Sequence, residues 1–193
     1  PNDEGIAKAM NYFQEEMGDS VSVEIVEFSS GKDVNTALAA GSIDFGLEGS
    51  CPASLAIAQD LGVELIWIHE VLGDVESLVA TNTSGINSVA DLKGKKVAVP
   101  FASTAHFSLL KAMENAGLSA SDVTVLDMQP DKIYASWNSG DIDAAYIWEP
   151  TLSQLSNKKT VITSGELAKA GYMTSNVEVV RTKFAEAHPD IVA

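Results

Sequence analysis

Lys95–Gly117 reads KKVAVPFASTAHFSLLKAMENAG. Val97, Ala98 and Val99 form a short apolar run between two lysines and Pro100. That pattern is a buried strand of a parallel sheet. A small polar turn follows, Ala102-Ser103-Thr104-Ala105. His106, Leu109, Leu110, Met113 and Gly117 then fall at helical spacing. Ser103 or Thr104 is the natural N-cap and Gly117 the residue that ends the helix. A strand that enters a helix through small hydroxyl residues makes an anion site, because unpaired N–H groups and the positive end of the helix dipole share one spot. Neither GxGxxG nor GxxxxGK[ST] is present, so the spacing points to a small anion and not to a nucleotide.

Charge and composition narrow the function classes. The chain has 193 residues, a net charge of −15 and 46% hydrophobic residues. With alternating strand and helix patterns, it is a globular α/β chain of one large domain or two small lobes. The charge argues against nucleic acid and anionic membrane as partners. It leaves a small anion open, since the local dipoles of a site outweigh a screened global charge. The single Cys51 excludes an internal disulfide and leaves the compartment open. No run of 18 apolar residues and no signal peptide is visible. Pro1 leads straight into a helical pattern, and Asp190–Ala193 reads as the first turn of a helix cut short. The expectation is a fragment of a longer chain.

Outward from that stretch, residues 4–17 read as an amphipathic helix with Ile6, Met10, Phe13 and Met17 inward and Gly18 as its stop. Val21, Val23, Ile25 and Phe28 give a strand. A helix follows over 31–40, then strand 43–47, and Pro52 opens a helix that runs to residue 61. Strands are expected at 63–69 and 77–81, parted by the turn at Gly73-Asp74. The most linker-like stretch is 82–87. Beyond it lie a short helix at 89–92, strands at 123–126, 142–147, 160–162 and 177–180, and helices at 131–139, 151–155 and near Lys183. Trp67 and Trp137 are expected in the core, and Lys93, Lys95 and Lys96 on a solvated edge.

The two halves echo each other. Ala40-Gly41-Ser42-Ile43-Asp44 ends a helix, enters a strand and reaches Pro52 at a helix start. Ser139-Gly140-Asp141-Ile142-Asp143 does the same and reaches Pro150. Two α/β units of matching design, joined by a linker, suggest two lobes with a cleft lined by strand carboxyl ends and helix N-termini.

These segments carry a resemblance. Together with Gly49-Ser50-Cys51-Pro52, Glu76-Ser77-Leu78-Val79, Asp91–Pro100 (DLKGKKVAVP), Ser103-Thr104-Ala105-His106, Tyr146-Ile147-Trp148 and Val179–Ala185 (VVRTKFA), the chain resembles the substrate-binding proteins of ABC transporters for taurine and aliphatic sulfonates, with nitrate-binding relatives. The resemblance covers nearly the whole chain. It implies a type II periplasmic-binding-protein fold, with lobe I at 1–81 plus 175–193 and lobe II at 82–174. By that comparison a first strand is missing before Pro1, and C-terminal helices after Ala193. It further implies a periplasmic or extracellular location, free or lipid-anchored, a monomer without a cofactor, and a membrane permease and ATPase as partners.

A sulfonate offers three acceptor oxygens and one charge. The helix N-termini at Gly49-Ser50-Cys51 and at Ser103-Thr104-Ala105-His106 would grip it from opposite lobes, through backbone N–H groups and the hydroxyls of Ser50, Ser103 and Thr104. Taurine's ammonium would want a carboxylate or an aromatic face, for which Asp74, Glu76, Tyr146, Trp148 and Glu149 are candidates. Asn176 stands where the resemblance implies an acidic ammonium ligand. The alternatives are a receptor for another small solute (nitrate, an alkanesulfonate, a thiamine precursor), an enzyme on the same fold, or a sensor domain. His69, His106, His188 and Cys51 form no triad or metal cluster by spacing, which speaks against the enzyme.

Overall fold

The computed structural model describes residues 3–18 and 21–192; Pro1 and Ala193, read above as helix ends, lie outside them. In chain order come α1 (Asp3–Ala9), α2 (Tyr12–Met17), α3 (Gly31–Ala40), β1 (Phe45–Gly49), α4 (Ser50–Ala58), β2 (Val63–Val71) and β3 (Glu76–Thr81). After a 3-10 turn at Val89–Leu92 follow β4 (Lys96–Val99), α5 (Thr104–Asn115), β5 (Thr124–Asp127), α6 (Pro130–Ser139), β6 (Ala144–Trp148) and α7 (Thr151–Gln154). The last elements are β7 (Lys158–Thr163), α8 (Ser164–Lys169), β8 (Ser175–Arg181), α9 (Thr182–Ala187) and α10 (Pro189–Val192).

These strands form two sheets. The first has the order β1-β8-β2, all antiparallel. The second has the order β5-β4-β6-β3-β7, and β4 pairs in parallel with both neighbours, as its unbroken apolar run requires. Core clusters fill both faces of the second sheet. Leu78, Val97, Val99, Leu109, Met113 and Tyr146 pack on one side, and Ala98, Ile133, Trp137, Ile142 and Ile147 on the other. The first sheet packs Val177 and Val179 against Val34 and Leu38 of α3 and Ala53 and Ala56 of α4. The chain passes between sheets before β3 and after α8, and there Leu72 N donates to Thr174 O at 2.9 Å.

The echo between halves is structural. Gly41 and Gly140 both end a helix in the left-handed region, at φ 70° and 77°. Ser42 N reaches back to Ala37 O, and Asp141 N to Ser136 O, each at 3.0 Å. The same carbonyls are satisfied the same way in both halves.

Several expectations fail for stated reasons. The helix over 4–17 is two short ones, because Asn11 turns left-handed at φ 62°, and Ile6 and Met10 are exposed. Residues 21–28 form no strand. No described strand lies beside them, and an alternating pattern without a neighbour has no ladder to join. Trp67, expected in the core, is 61% exposed, on an edge strand whose register slips between Leu65 and Trp67. Trp137 is buried as expected, and its Nε1 donates to Ser156 O at 2.8 Å. β3, which lies before residue 82, pairs with β6 and β7 in the five-stranded sheet. α8 was not expected, although Thr163 and Glu166 form a capping box that marks it.

A Cβ at Gly140 would meet no atom within 4 Å, so substitution there tests backbone conformation alone. Gly140→Ala should lower stability by about 1 kcal/mol, and Gly140→Asn by less. Urea midpoints of the three proteins check this.

Candidate functional site

β1 runs into α4 without a loop, so Gly49 is the N-cap and Ser50, Cys51 and Pro52 are the first three helical residues. Pro52 has no N–H to leave unpaired. The N–H groups of Ser50 and Cys51 have no partner within the helix. At α5 the cap is Ser103, whose Oγ accepts from His106 N at 3.1 Å and donates to Pro100 O at 2.6 Å. Phe107 N reaches Ser103 O, which leaves Thr104 and Ala105 without intrahelical partners. The two helix starts abut: a Cβ added to Gly49 would lie 2.7 Å from Thr104 Cγ2.

Four N–H groups therefore gather where two positive helix ends meet. Ser50 Oγ accepts from Ser175 N at 3.2 Å, and its hydroxyl lies within hydrogen-bond reach of the Cys51 thiol. Ser103, expected to donate, has already spent its hydrogen on Pro100. Beside this meeting point lies a groove of about 420 Å³, lined by Cys51, Ser54, Leu55, Ala102, Ser103, His106, Phe107 and Leu110. No acidic or basic side chain other than the imidazole lines it. His106 stacks on Phe101 with ring centres 4.3 Å apart, and its Nδ1 accepts from Ala102 N at 3.4 Å. Burial lowers its pKa. The ring is neutral at pH 7, with its hydrogen on Nε2.

The structure thus brings Gly49, Ser50, Cys51, Ser103, Thr104 and His106 together. Glu76 and Tyr146 lie beneath them. Glu76 is 1% exposed; its Oε2 accepts from Thr104 Oγ1 at 2.5 Å and its Oε1 from Ser164 Oγ at 2.7 Å. Tyr146 OH lies 3.0 Å from Ser164 Oγ. The other four candidates are absent from the groove lining. Asp74 is exposed near the chain crossing, where its Oδ1 would lie 3.4 Å from a Cβ at Gly165. Glu149 caps α7 through Ser153 N and Oγ, at 2.9 and 2.7 Å. Asn176 Nδ2 donates to Glu70 Oε1 at 2.8 Å, and Trp148 packs against both core clusters of the larger sheet.

Glu48 is the acid that motif reading passed over. It is 4% exposed, and neither carboxylate oxygen has a hydrogen-bond partner among the described residues. A Cβ on Gly31 would lie 3.1 Å from its Oε2. Burial pushes its pKa up to about 8. The signal was in the alternation of β1, where Gly46 and Glu48 share the buried face. Cys51, also half-buried, has its thiol pushed up to about 11 by burial and then by the charge of Glu76. It stays a protonated thiol, a weak donor and a poor nucleophile at neutral pH. Among the described residues no three His, Cys, Asp or Glu side chains gather to hold a metal ion.

Residues 5–193 match the NMT1/THI5-like family. The chain belongs to that family. It is 39% identical over 188 residues to the taurine-binding periplasmic protein of Escherichia coli, covering 97% of this chain and 58% of that one. The crystal structure of the periplasmic aliphatic sulphonate binding protein SsuA from Escherichia coli superposes with a TM-score of 0.81 at 26% identity, over 96% of this chain and 63% of that one. The alkanesulfonate-binding protein SsuA from Xanthomonas axonopodis, bound to MOPS, gives 0.80 at 26% identity, over 94% and 62%. The fold of this NMT1/THI5-like chain is therefore the type II periplasmic-binding-protein fold, and the relatives named are binding proteins. The chain spans less than two thirds of the length of each.

Glu48 carries a pH signature. The folded chain holds its proton up to about pH 8, whereas an unfolded glutamate releases it near 4.5. Between those values the folded state binds more protons, so stability falls as pH rises. Urea midpoints at pH 5, 6.5 and 8 should decline. Glu48→Gln should recover roughly 2–4 kcal/mol at pH 8 and nothing at pH 4. Glu76, raised in the same direction, keeps part of the slope.

Proposed function

We propose that this chain is the solute-binding part of an ABC importer and that it binds a small organosulfonate. The observation that carries the reading is the meeting of two helix N-termini at the head of an apolar groove. The N–H groups of Ser50, Cys51, Thr104 and Ala105, with the Ser50 hydroxyl, match three sulfonate oxygens. Both helix dipoles favour the charge, and they act locally, where the net charge of −15 is screened. Leu55, Phe107 and Leu110 would take the carbon chain, and the neutral His106 could donate from Nε2.

The lining favours an alkanesulfonate over taurine, because an ammonium placed in the groove meets no carboxylate. A bare anion such as nitrate would leave the groove unused. The names of the relatives support a periplasmic or extracellular receptor with a permease and ATPase as partners. The two sheets serve as lobes, with the crossing near Leu72 and Thr174 as hinge. A binding role, not catalysis, fits a site whose one thiol stays protonated.

Thermal unfolding with ethanesulfonate, butanesulfonate, taurine and nitrate tests this. Butanesulfonate at a hundred times its dissociation constant should add about 2.7 kcal/mol, or roughly 5–10 °C. Taurine should shift less, and nitrate least. No shift with any sulfonate would sink the proposal, and a shift with taurine alone would overturn the alkanesulfonate preference.

A further inference from the structure

We propose that Glu76 acts as a positioning residue for the anion site, taking up one proton when an anion binds and so releasing the Thr104 hydroxyl hydrogen to the ligand. The inference rests on the reading of the α4–α5 junction as an anion site.

Ser164 has one hydroxyl hydrogen and gives it to Glu76 Oε1 at 2.7 Å in preference to Ser108 Oγ at 3.5 Å, so Tyr146 OH, 3.0 Å away, donates to Ser164. Thr104 gives its only hydroxyl hydrogen to Glu76 Oε2 at 2.5 Å. Both bonds suit an ionised carboxylate, which only accepts. In that state Thr104 can offer an arriving anion its N–H but not its hydroxyl. The buried negative charge also lies one hydrogen bond behind the residue that must hold another negative charge. Protonation relieves both conflicts at once. A proton from solvent binds Glu76 Oε2, the new O–H donates to Thr104 Oγ1, and the Thr104 hydroxyl turns its own hydrogen to the anion. Only the new Glu76 O–H bond forms, and no heavy atom moves.

The surroundings make this carboxylate the responsive group. Burial raises its pKa, and the two hydroxyl bonds hold it back. From α4 it faces Cys51 and from β6 Tyr146, both themselves shifted upward by burial and by its charge. Glu166 of α8 acts on Tyr146 behind them. On α5 the nearest titratable group is His106, whose lowered pKa is opposed by Asp127 of β5. β7 brings only Thr163 opposite Ser77, and Asp74 precedes β3 at the exposed crossing. Among the described residues no lysine or arginine bonds to Glu76, so no cation holds it ionised.

Titration calorimetry with butanesulfonate, in two sulfonate-free buffers of different ionisation heat, reads the proton directly. Between pH 5 and 9 the wild-type chain should take up a fraction of a proton, and its affinity should weaken by up to tenfold per pH unit where uptake is largest. Glu76→Gln should bind with no uptake and a flat pH profile. Thr104→Val, which keeps the acid but has no hydroxyl to redirect, should also lose the uptake and decides the matter if Glu76→Gln does not fold. Butanesulfonate binding with zero uptake across the range would overturn the role of Glu76 while leaving the sulfonate reading standing. Uptake that persists in Glu76→Gln and vanishes in His106→Asn would overturn it too, by assigning the proton to the imidazole. A folded chain that binds no sulfonate overturns both readings.

Discussion

Two positive helix ends face each other where Gly49 meets Thr104, and the rest of the structure makes that arrangement tolerable. A pair of helix dipoles aligned this way repels, so neither helix would choose the position alone. Each is held there by its own sheet. α4 is anchored through Ala53 and Ala56 to β8, while α5 is anchored through Leu109 and Met113 to the larger sheet. The approach needs a residue without a side chain at position 49, since any Cβ there would strike Thr104. What results is a spot rich in unpaired donors and short of acceptors, which is a physical definition of an anion site.

The acids nearest this spot are kept out of it by burial. Glu76 sits beneath the junction with both oxygens occupied by hydroxyls. Glu48 sits on the far face of β1, against α3 and the start of α4, with its oxygens unpartnered. Burial raises the pKa of each, and neither carboxylate lines the groove. A buried carboxyl such as Glu48 costs stability as pH rises. That cost is tolerable only because well-filled clusters on both faces of the second sheet supply apolar burial.

The duplicated turn sets up two strand-to-helix passages, β1 into α4 and β6 into α7, of which the first supplies one helix start of the junction. The helix-ending glycine, the Ile-Asp step and the strand that follows recur as Gly41–Asp44 and Gly140–Asp143. The two aspartates hold matching places: Asp44 O accepts from Arg181 N and Asp143 O from Thr81 N. Their side chains differ in use, for Asp44 Oδ1 pairs with Arg181 while Asp143 Oδ2 accepts Lys96 N. A local device that stops a helix and aims a strand was used twice, and each use sets a helix start at a strand's carboxyl end.

Local chemistry determined much of this from sequence alone. The run Val97–Val99 had to be a strand buried on both faces. Ser103 had to cap a helix, and the glycines at 41 and 140 had to end helices, because each depends only on neighbours in the chain. The family resemblance, legible in the same segments, led to the two-sheet architecture and to Gly49, Ser50, Cys51, Ser103, Thr104 and His106 as one site. Tertiary structure decided what depends on distant partners. Residues 21–28 have the alternation of a strand but no neighbour to pair with, and Trp67 is exposed because β2 is an edge. Thr104 and Ser103 were read alike as donors, yet their hydrogens are spent on Glu76 and Pro100. Glu149 and Asn176 turn away to serve Ser153 and Glu70. A hydroxyl has one hydrogen and a carboxylate two faces, and only the packed chain shows where each is used.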